Sequence, residues 1–270
     1  ICMAVNVERV GITVLGSGSR GNAVVIHTES EAILVDAGFS ARELRKRMAR
    51  FEIDETKVRA ILVSHEHSDH VCGMRVCAKQ LGIPIYANRG TAEVLRSRDD
   101  KLGNLTIFAP GSPFGVGGFT VEPFTIPHDA YDPVAFVVKM GTVKLGIATD
   151  LGHVNSLVSH QLRACDALVV ESNHDIGMLR NSDRKWSLKQ RIIGRHGHLS
   201  NEDGLELLRK VLHGRTQAVI MAHASGECNE YSLVERGVKQ CLAELEREDI
   251  VMHVATQDDG APTVWVSHAV

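Results

Sequence analysis

Short apolar runs alternate with polar segments along this chain, and the first of them show no helical period. Val10–Leu15, Ala23–His27 and Ala32–Val35 are rich in β-branched residues and separated by Gly-, Ser- and Glu-containing turns, which predicts buried strands. The period then changes. Over Ser40–Phe51, Leu44 and Met48 fall on one face behind a capping Ser40, with Arg42, Arg45, Lys46, Arg47 and Arg50 around them, predicting an amphipathic helix with a solvated basic face. The apolar run from Ala60 to Ser64 is a further strand, followed by helices over Cys72–Leu81 and Thr91–Arg96 with a strand at Ile83–Tyr86 between them. Gly and Pro turns divide the middle into strands at Thr106–Phe108, Gly118–Thr125, Val134–Met140 and Val143–Ala148. Ala167–Val170 is another apolar run, and Ser200 with Asp203 starts a helix through Leu212 in the manner of a capping box. Gln217–Ala222 predicts a strand, Ser232–Glu246 a helix, and Ile250–Ala255 and Pro262–Val266 two last strands. Strands thus come in two groups, each followed by helices, without strict βαβ alternation. That order fits an α/β sandwich of two packed sheets with outer helices, formed as one domain over residues 1–270.

Composition adds little to this picture. A hydrophobic content of 44% and a charged content of 23% describe an ordinary globular chain and exclude a disordered one. The formal net charge of −3 excludes a globally basic field, so a nucleic-acid surface must come from a local patch. One such patch exists: between residues 180 and 195, Arg180, Arg184, Lys185, Lys189, Arg191 and Arg195 stand against Asp183 alone, with Trp186 among them. The six cysteines are scattered without a Cys-x-x-Cys pair, which argues against a disulfide framework and against a thiolate zinc site. No apolar run reaches the roughly 18 residues of a membrane span and no leader pattern opens the chain, so a cytoplasmic protein with no membrane partner is expected.

The chemistry concentrates where the strand at residues 60–64 ends. His65-Glu-His67-Ser-Asp69-His70 packs three imidazoles and two carboxylates into six positions, far more ligand chemistry than folding requires. Three other apolar strands also deliver a metal-competent side chain at the carboxyl end: Phe124–Pro127 into His128, Leu145–Thr149 into Asp150, and Ala218–Ala222 into His223. Strand ends along one rim converge in space, and the seven residues His65, His67, Asp69, His70, His128, Asp150 and His223 match what two divalent ions need with water completing their shells. Zinc and manganese both suit such nitrogen and oxygen donors. A carboxylate can bridge two ions whereas a neutral imidazole cannot, so Asp150 is a residue able to bridge them. Two ions roughly 3.5–4 Å apart hold a bridging water as hydroxide and stabilise both oxygens of a phosphoryl displacement. Such a nucleophile does not itself protonate the leaving oxygen, and His198, just past the basic run, is the residue expected to do so. His174 stands beyond a strand end, placed to orient a ligand or to contact substrate. The turn Gly16-Ser-Gly-Ser-Arg-Gly-Asn22 either closes a hairpin or cradles a phosphate with Ser17 and Ser19. Asp36 is expected to support the His-rich loop.

The sequence His65-Glu-His67-Ser-Asp69-His70, with His128, Asp150 and His223 following in order, resembles the signature of the metallo-β-lactamase fold. Gly16–Asn22, Glu171-Ser-Asn-His-Asp175, Gly197-His-Leu-Ser-Asn201 and Ala222–Asn229 resemble the YycJ/WalJ (VicX)-like branch in particular. The resemblance implies an αββα four-layer sandwich and a metal-dependent phosphodiesterase, with 5′-to-3′ DNA exonuclease activity as the expectation. It implies one ion on His65, His67 and His128, a second on Asp69, His70 and His223, and Asp150 bridging them, with Asp69, Asp150 and His198 carrying the catalytic roles. The expected substrate contacts are Ser17, Ser19, Asn22, His174, Arg184 and Lys185 on a nucleic acid, DNA ahead of RNA, and a homo-oligomer is compatible with the chain. Two alternatives use the same residues: a phosphodiesterase for a cyclic nucleotide or cyclic phosphate, and a metal-stabilised scaffold for a regulatory partner.

Overall fold

A computed structural model describes residues 9–268. The first strands are β1 (Arg9–Gly16), β2 (Ala23–His27), β3 (Ala32–Val35), β4 (Val58–Leu62), β5 (Ile85–Asn88) and β6 (Leu105–Phe108). The second group comprises β7 (Phe114–Val116), β8 (Phe119–Thr125), β9 (Val134–Met140), β10 (Val143–Ala148), β11 (Ala167–Glu171), β12 (Ala218–Ala222) and β13 (Val251–Val254). A last strand, β14 (Ala261–Ser267), returns to the first group. The result is two seven-stranded sheets, ordered β14-β1-β2-β3-β4-β5-β6 and β13-β12-β11-β10-β9-β8-β7.

Three apolar layers explain why the strand runs lack a polar alternation. In β1, β2 and β3, Ile12, Val14, Ile26 and Ile33 point into a core shared with Val121, Phe136, Val169 and Ile220 of the opposite sheet. Their sequence neighbours Leu15, Val25 and Leu34 pack the other way, under α1 (Ala41–Arg50), α3 (Met74–Leu81) and α4 (Arg89–Arg98). In the second sheet Leu168, Val170, Val219 and Met221 face α5 (Ser156–Leu162), α8 (Asn201–Val211) and α9 (Tyr231–Glu244). Strands buried on both faces are apolar at every position, so period 2 vanishes while length and β-branching survive as signals. Each large side chain sealed between the sheets contributes about 1.5–3 kcal/mol. The architecture is the four-layer αββα sandwich.

Direction, more than burial, builds the site. β3 to β6 pair in parallel, and so do β10 to β13. β8 and β10 are both antiparallel to β9 and therefore run the same way. The carboxyl ends of β3, β4, β8, β10, β11 and β12 accordingly open on one rim. Hydrogen bonds stitch the two sheets there: Val134 N–H donates to Ser64 O at 3.0 Å, and His223 N–H to Ser17 Oγ at 2.8 Å.

Several local expectations shift. The helix expected over Cys72–Leu81 begins two residues later, as α3, and a short α2 (Ser68–Val71) precedes it within the His-rich loop, with a break at Gly73 between them. The break follows from packing, because a Cβ on Gly73 would stand 1.9 Å from Phe39 O. The basic run is itself helical, as α6 (Ile176–Asn181) and α7 (Trp186–Ile193), elements too short to show a period. The basic face of α1 is not wholly solvated: Arg47 is buried, its Nη1 donating to Leu15 O and Gln257 O. Among the described residues, no helix is long and apolar enough to cross a membrane.

Candidate metal centre

Three residues on this rim hold a backbone conformation that L-residues avoid. Asp36, Asp150 and His223 have φ of 59°, 60° and 57°, each one residue or two beyond a strand. A left-handed residue at that point turns the chain sharply and swings its side chain over the strand end; the conformation costs about 1–3 kcal/mol and persists only where surrounding contacts enforce it. Here the enforcing contacts are visible. Asp36 Oδ1 accepts Ser64 N–H at 2.8 Å, and its Oδ2 accepts Ser64 Oγ at 2.7 Å and His70 Nδ1 at 2.8 Å. Asp36 therefore supports the His-rich loop and, by holding Nδ1 of His70, turns its Nε2 inward, where Asn22 Nδ2 lies 3.1 Å away.

The same device recurs at the other imidazoles. His128 Nδ1 lies 3.2 Å from Gly197 O, and His65 Nδ1 3.0 Å from Ser64 Oγ. His223 Nδ1 donates to Glu171 Oε1 at 2.8 Å. A proton held on Nδ1 leaves Nε2 as a lone-pair donor, which is the tautomer a metal requires. The buried atoms His65 Nε2, His223 Nε2 and Asp150 Oδ2 have no hydrogen-bond partner. Orphaned polar atoms in a folded interior are rare, and these share one space.

The spacing of the donors decides what they suit. His70 Nε2 stands 3.3 Å from Asp150 Oδ2 and 3.6 Å from Asp69 Oδ2, while His223 Nε2 stands 3.5 Å from Asp150 Oδ1 and 3.7 Å from Asp69 Oδ2. Metal–ligand bonds of 2.0–2.2 Å at tetrahedral angles separate neighbouring ligand atoms by about 3.3–3.6 Å. These distances thus suit an ion's shell and are long for hydrogen bonds. His65, His67 and His128 form a second group, with ring centroids 4.6–5.1 Å apart, and His128 Nε2 is 3.8 Å from Asp150 Oδ1. Asp150, wholly enclosed, lies between the two groups. A chemically permissible alternative cluster joins Asp150, Glu171, His198 and His223. It fails on valence: Glu171 Oε1 already accepts His198 Nδ1 and His223 Nδ1, and Oε2 accepts Leu151 N–H and Leu199 N–H, so no lone pair is left for an ion.

Charge follows from this geometry. Burial opposes ionisation of Asp150, but His223 and His70 outweigh it and hold the carboxyl well below its ordinary range. Burial likewise disfavours the Glu171 carboxylate, and His198 and His223 more than compensate, so it too stays ionised. Burial lowers His198 and Glu171 raises it, with a net upward displacement. His65, buried without a carboxylate at its ring nitrogens, is pushed far down and is neutral.

A cavity of about 220 Å³ opens above these groups. Arg184, Leu188, Arg191 and Ile192 form one wall, so the basic segment does face the site. Part of its charge is spent within the protein: Arg184 Nε pairs with Glu227 at 3.0 Å, Arg191 pairs with Asp129, and buried Lys189 donates to Arg180 O and Ser182 O. Of the residues expected to meet substrate, Ser19 and Arg184 line the cavity, and so does His198, with its side chain 22% exposed. Four do not. Ser17 is buried, donating to Asn22 Oδ1 at 2.9 Å and accepting His223 N–H, so its hydroxyl positions the ligand loop. Asn22 is buried too and reaches Gly18 O, Asp69 Oδ2 and His70 Nε2, which makes it a brace between the Gly-rich turn and the His-rich loop. His174 is enclosed behind the rim, bridged to Ser200, and lies outside the cavity lining. Lys185 is exposed at the N-cap of α7 and is not among the residues that line the cavity. Glu171 is the residue sequence reasoning passed over, although a carboxylate closing an apolar strand was the same signal that marked Asp150.

Residues 31–223 match the family described as the beta-lactamase superfamily domain. The exodeoxyribonuclease YycJ of Bacillus anthracis is 35% identical over 237 residues, covering 86% of this chain and 89% of its own. The exodeoxyribonuclease WalJ of Streptococcus pneumoniae strain D39 is 33% identical over 239 residues, covering 87% and 88%. Among solved structures, the metallo-β-lactamase fold protein YhfI of Bacillus subtilis superposes with a TM-score of 0.71 over 96% of this chain and 100% of its own, at 15% identity.

Proposed function

Since the chain belongs to the β-lactamase superfamily and, within it, to the YycJ/WalJ group, we propose that it is a divalent-metal-dependent DNA exonuclease. The observation that carries the reading is the set of inward-facing, unpartnered donors around Asp150 beneath a cavity walled by Arg184 and Arg191. His65, His67 and His128 would hold one ion, Asp69, His70 and His223 a second, and Asp150 both. Zinc and manganese each fit this nitrogen and oxygen set. Divalent ions bound there supply an activated water and neutralise charge on the phosphate.

The protein's own groups do the rest. Arg191, paired with half-buried Asp129, and Arg184, paired with exposed Glu227, exchange those carboxylates for substrate phosphate oxygens. Asp69 and Asp150 set the direction of attack through their fixed oxygens, braced by Asn22 and by the strand ends. His198 delivers a proton to the leaving oxygen, and Glu171 stabilises the imidazolium and fixes the ring through the 2.9 Å contact to Nδ1. DNA is taken ahead of RNA, in keeping with the exodeoxyribonuclease names of the two relatives, and attack begins at the 5′ end, the polarity that the family resemblance implies.

Duplexes and single strands labelled at either end, incubated with Mn²⁺ or Zn²⁺, test the reading. Mononucleotide release from the 5′ label first, abolished by chelator and by Asp150→Ala, is the expected result. Equal cleavage by Asp150→Ala, or none by the native protein with any divalent metal, would sink it. Parallel RNA strands decide the sugar preference, and release from the 3′ label first would reverse the polarity.

A further inference from the structure

Ser19 and Arg184 wall the metal cavity on one side, and the same two residues wall a second cavity of about 340 Å³. The two linings therefore adjoin at this pair. The second falls in the range, about 300–1,000 Å³, of clefts that enclose small organic ligands. Its chemistry is uneven in an informative way. Two guanidinium groups reach it, Arg184 and Arg20, and each is held only by an exposed carboxylate: Glu227, with a side chain 73% exposed, and Asp258, 75% exposed. Exposed pairs of this kind are weak, so a phosphate offering bidentate geometry displaces them readily.

The framework around those arginines is rigid. Gln257 is buried; its Oε1 accepts Arg20 N–H at 2.7 Å, its Nε2 donates to Gly21 O at 2.9 Å, and its carbonyl accepts Arg47 Nη1 at 3.0 Å. Gln257 N–H in turn donates to Tyr231 Oη at 3.2 Å, which fixes the phenol ring in the wall with 37% of the residue exposed. Gly226, in the same lining, leaves open space. A fixed aromatic face beside two cations on flexible stems is the arrangement that stacks a base and tracks a nucleic-acid backbone.

We infer that this second cavity receives the nucleotide adjoining the reacting phosphate, with its own phosphate between Arg20 and Arg184 and its base against Tyr231. The inference rests on the exonuclease reading and deepens it. The substrate is then a strand end with at least one phosphate beyond the scissile one, and a lone or cyclic phosphodiester leaves half of the groove empty.

The test compares bis(p-nitrophenyl) phosphate with single-stranded oligodeoxynucleotides of two to eight residues, using the metal-loaded full chain and its Arg20→Ala and Arg20→Lys variants. For the native protein, KM falls sharply once a second phosphate is present. Arg20→Ala raises the oligonucleotide KM about tenfold and lowers the salt dependence of log KM by about 0.7, the share of one single-strand phosphate contact. Arg20→Lys recovers most of that salt dependence, because it restores the point charge and loses only the bidentate geometry. A native KM indifferent to the second phosphate, or an Arg20→Ala variant with native KM and salt slope, overturns the subsite and leaves the exonuclease reading standing. Hydrolysis of the mono-phosphodiester with no oligonucleotide cleaved overturns both.

Discussion

Replacing Glu171 with Gln changes one oxygen to an amide and alters no volume, yet it attacks the centre at its least redundant support. The carboxylate is fully buried and accepts four hydrogen bonds: from Nδ1 of His198 and His223 at 2.9 and 2.8 Å, and from Leu151 N–H and Leu199 N–H at 2.8 and 3.1 Å. All four partners are donors. A Gln side chain accepts only through its oxygen, so its NH2 must face either two imidazole N–H groups or two backbone N–H groups. Backbone amides cannot move without displacing β10 and the segment before α8, whereas the imidazoles can rotate. The amide nitrogen therefore turns to the imidazoles, and His223 loses the acceptor that held its Nε2 toward the ion. Removing such a support typically costs 10–100-fold in metal affinity, or about 1.4–2.7 kcal/mol. Competition titration of Zn²⁺ or Mn²⁺ against a chromophoric chelator measures this directly. We expect weakening in that range for one of two ions, with kcat still depressed at saturating metal because His198 has lost the same partner. Urea denaturation of the metal-loaded variant separates this from misfolding. Native affinity together with native kcat would refute the reasoning.

Three further outcomes follow from other parts of the structure. Burial, with Lys57 nearby, lowers His27 to about 4, so it is neutral in the fold and contributes stability that is full above the unfolded value of 6.5 and lost as pH falls toward 4; this group alone makes the protein about 2 kcal/mol less stable at pH 5 than at pH 7. His27→Gln should remove that share of the slope in urea titrations at the two pH values, and an unchanged slope contradicts it. Asp166, wholly buried, accepts Arg215 through both oxygens, His268 at 2.6 Å and Lys144 N–H at 2.7 Å, so Asp166→Ala strands these donors and, with Arg215 38% exposed to water, should cost about 1–3 kcal/mol of unfolding free energy, checked by denaturant midpoint. A Cβ on Gly38 would lie 1.7 Å from Asp69 O, a backbone atom of the ligand loop, so Gly38→Ala should lower bound metal per chain by elemental analysis even where the far-UV dichroism is native.

Much of this protein was legible in its chain because the relevant signals are local. Strands buried on both faces announce themselves as short β-branched runs, Ser200 and Asp203 make both bonds of their capping box, and six residues from His65 to His70 declare a metal by composition alone. His128, Asp150 and His223 could be added because each ends an apolar strand, and parallel strands end on a common rim. Roles that depend on which way a side chain turns were not legible. Ser17 and Asn22 have the composition of a phosphate-binding turn, but the fold presses that turn against Asp69 and His223, and their polar atoms are consumed in bracing the ligands. Glu171 looked like an ordinary strand end until four donors from β10, β12 and the segment before α8 closed around it. The basic run between residues 180 and 195 showed its charge but not its destination: only packing decided that Arg184 and Arg191 line the cavity above the candidate ligands, that Lys189 is buried, and that Lys185 stays out of that lining. Residue type and spacing determine which chemistry is available, since a donor atom is a property of one side chain. Which donors stay free for metal and substrate depends on hydrogen bonds between residues up to about two hundred positions apart, and only the folded chain brings those together.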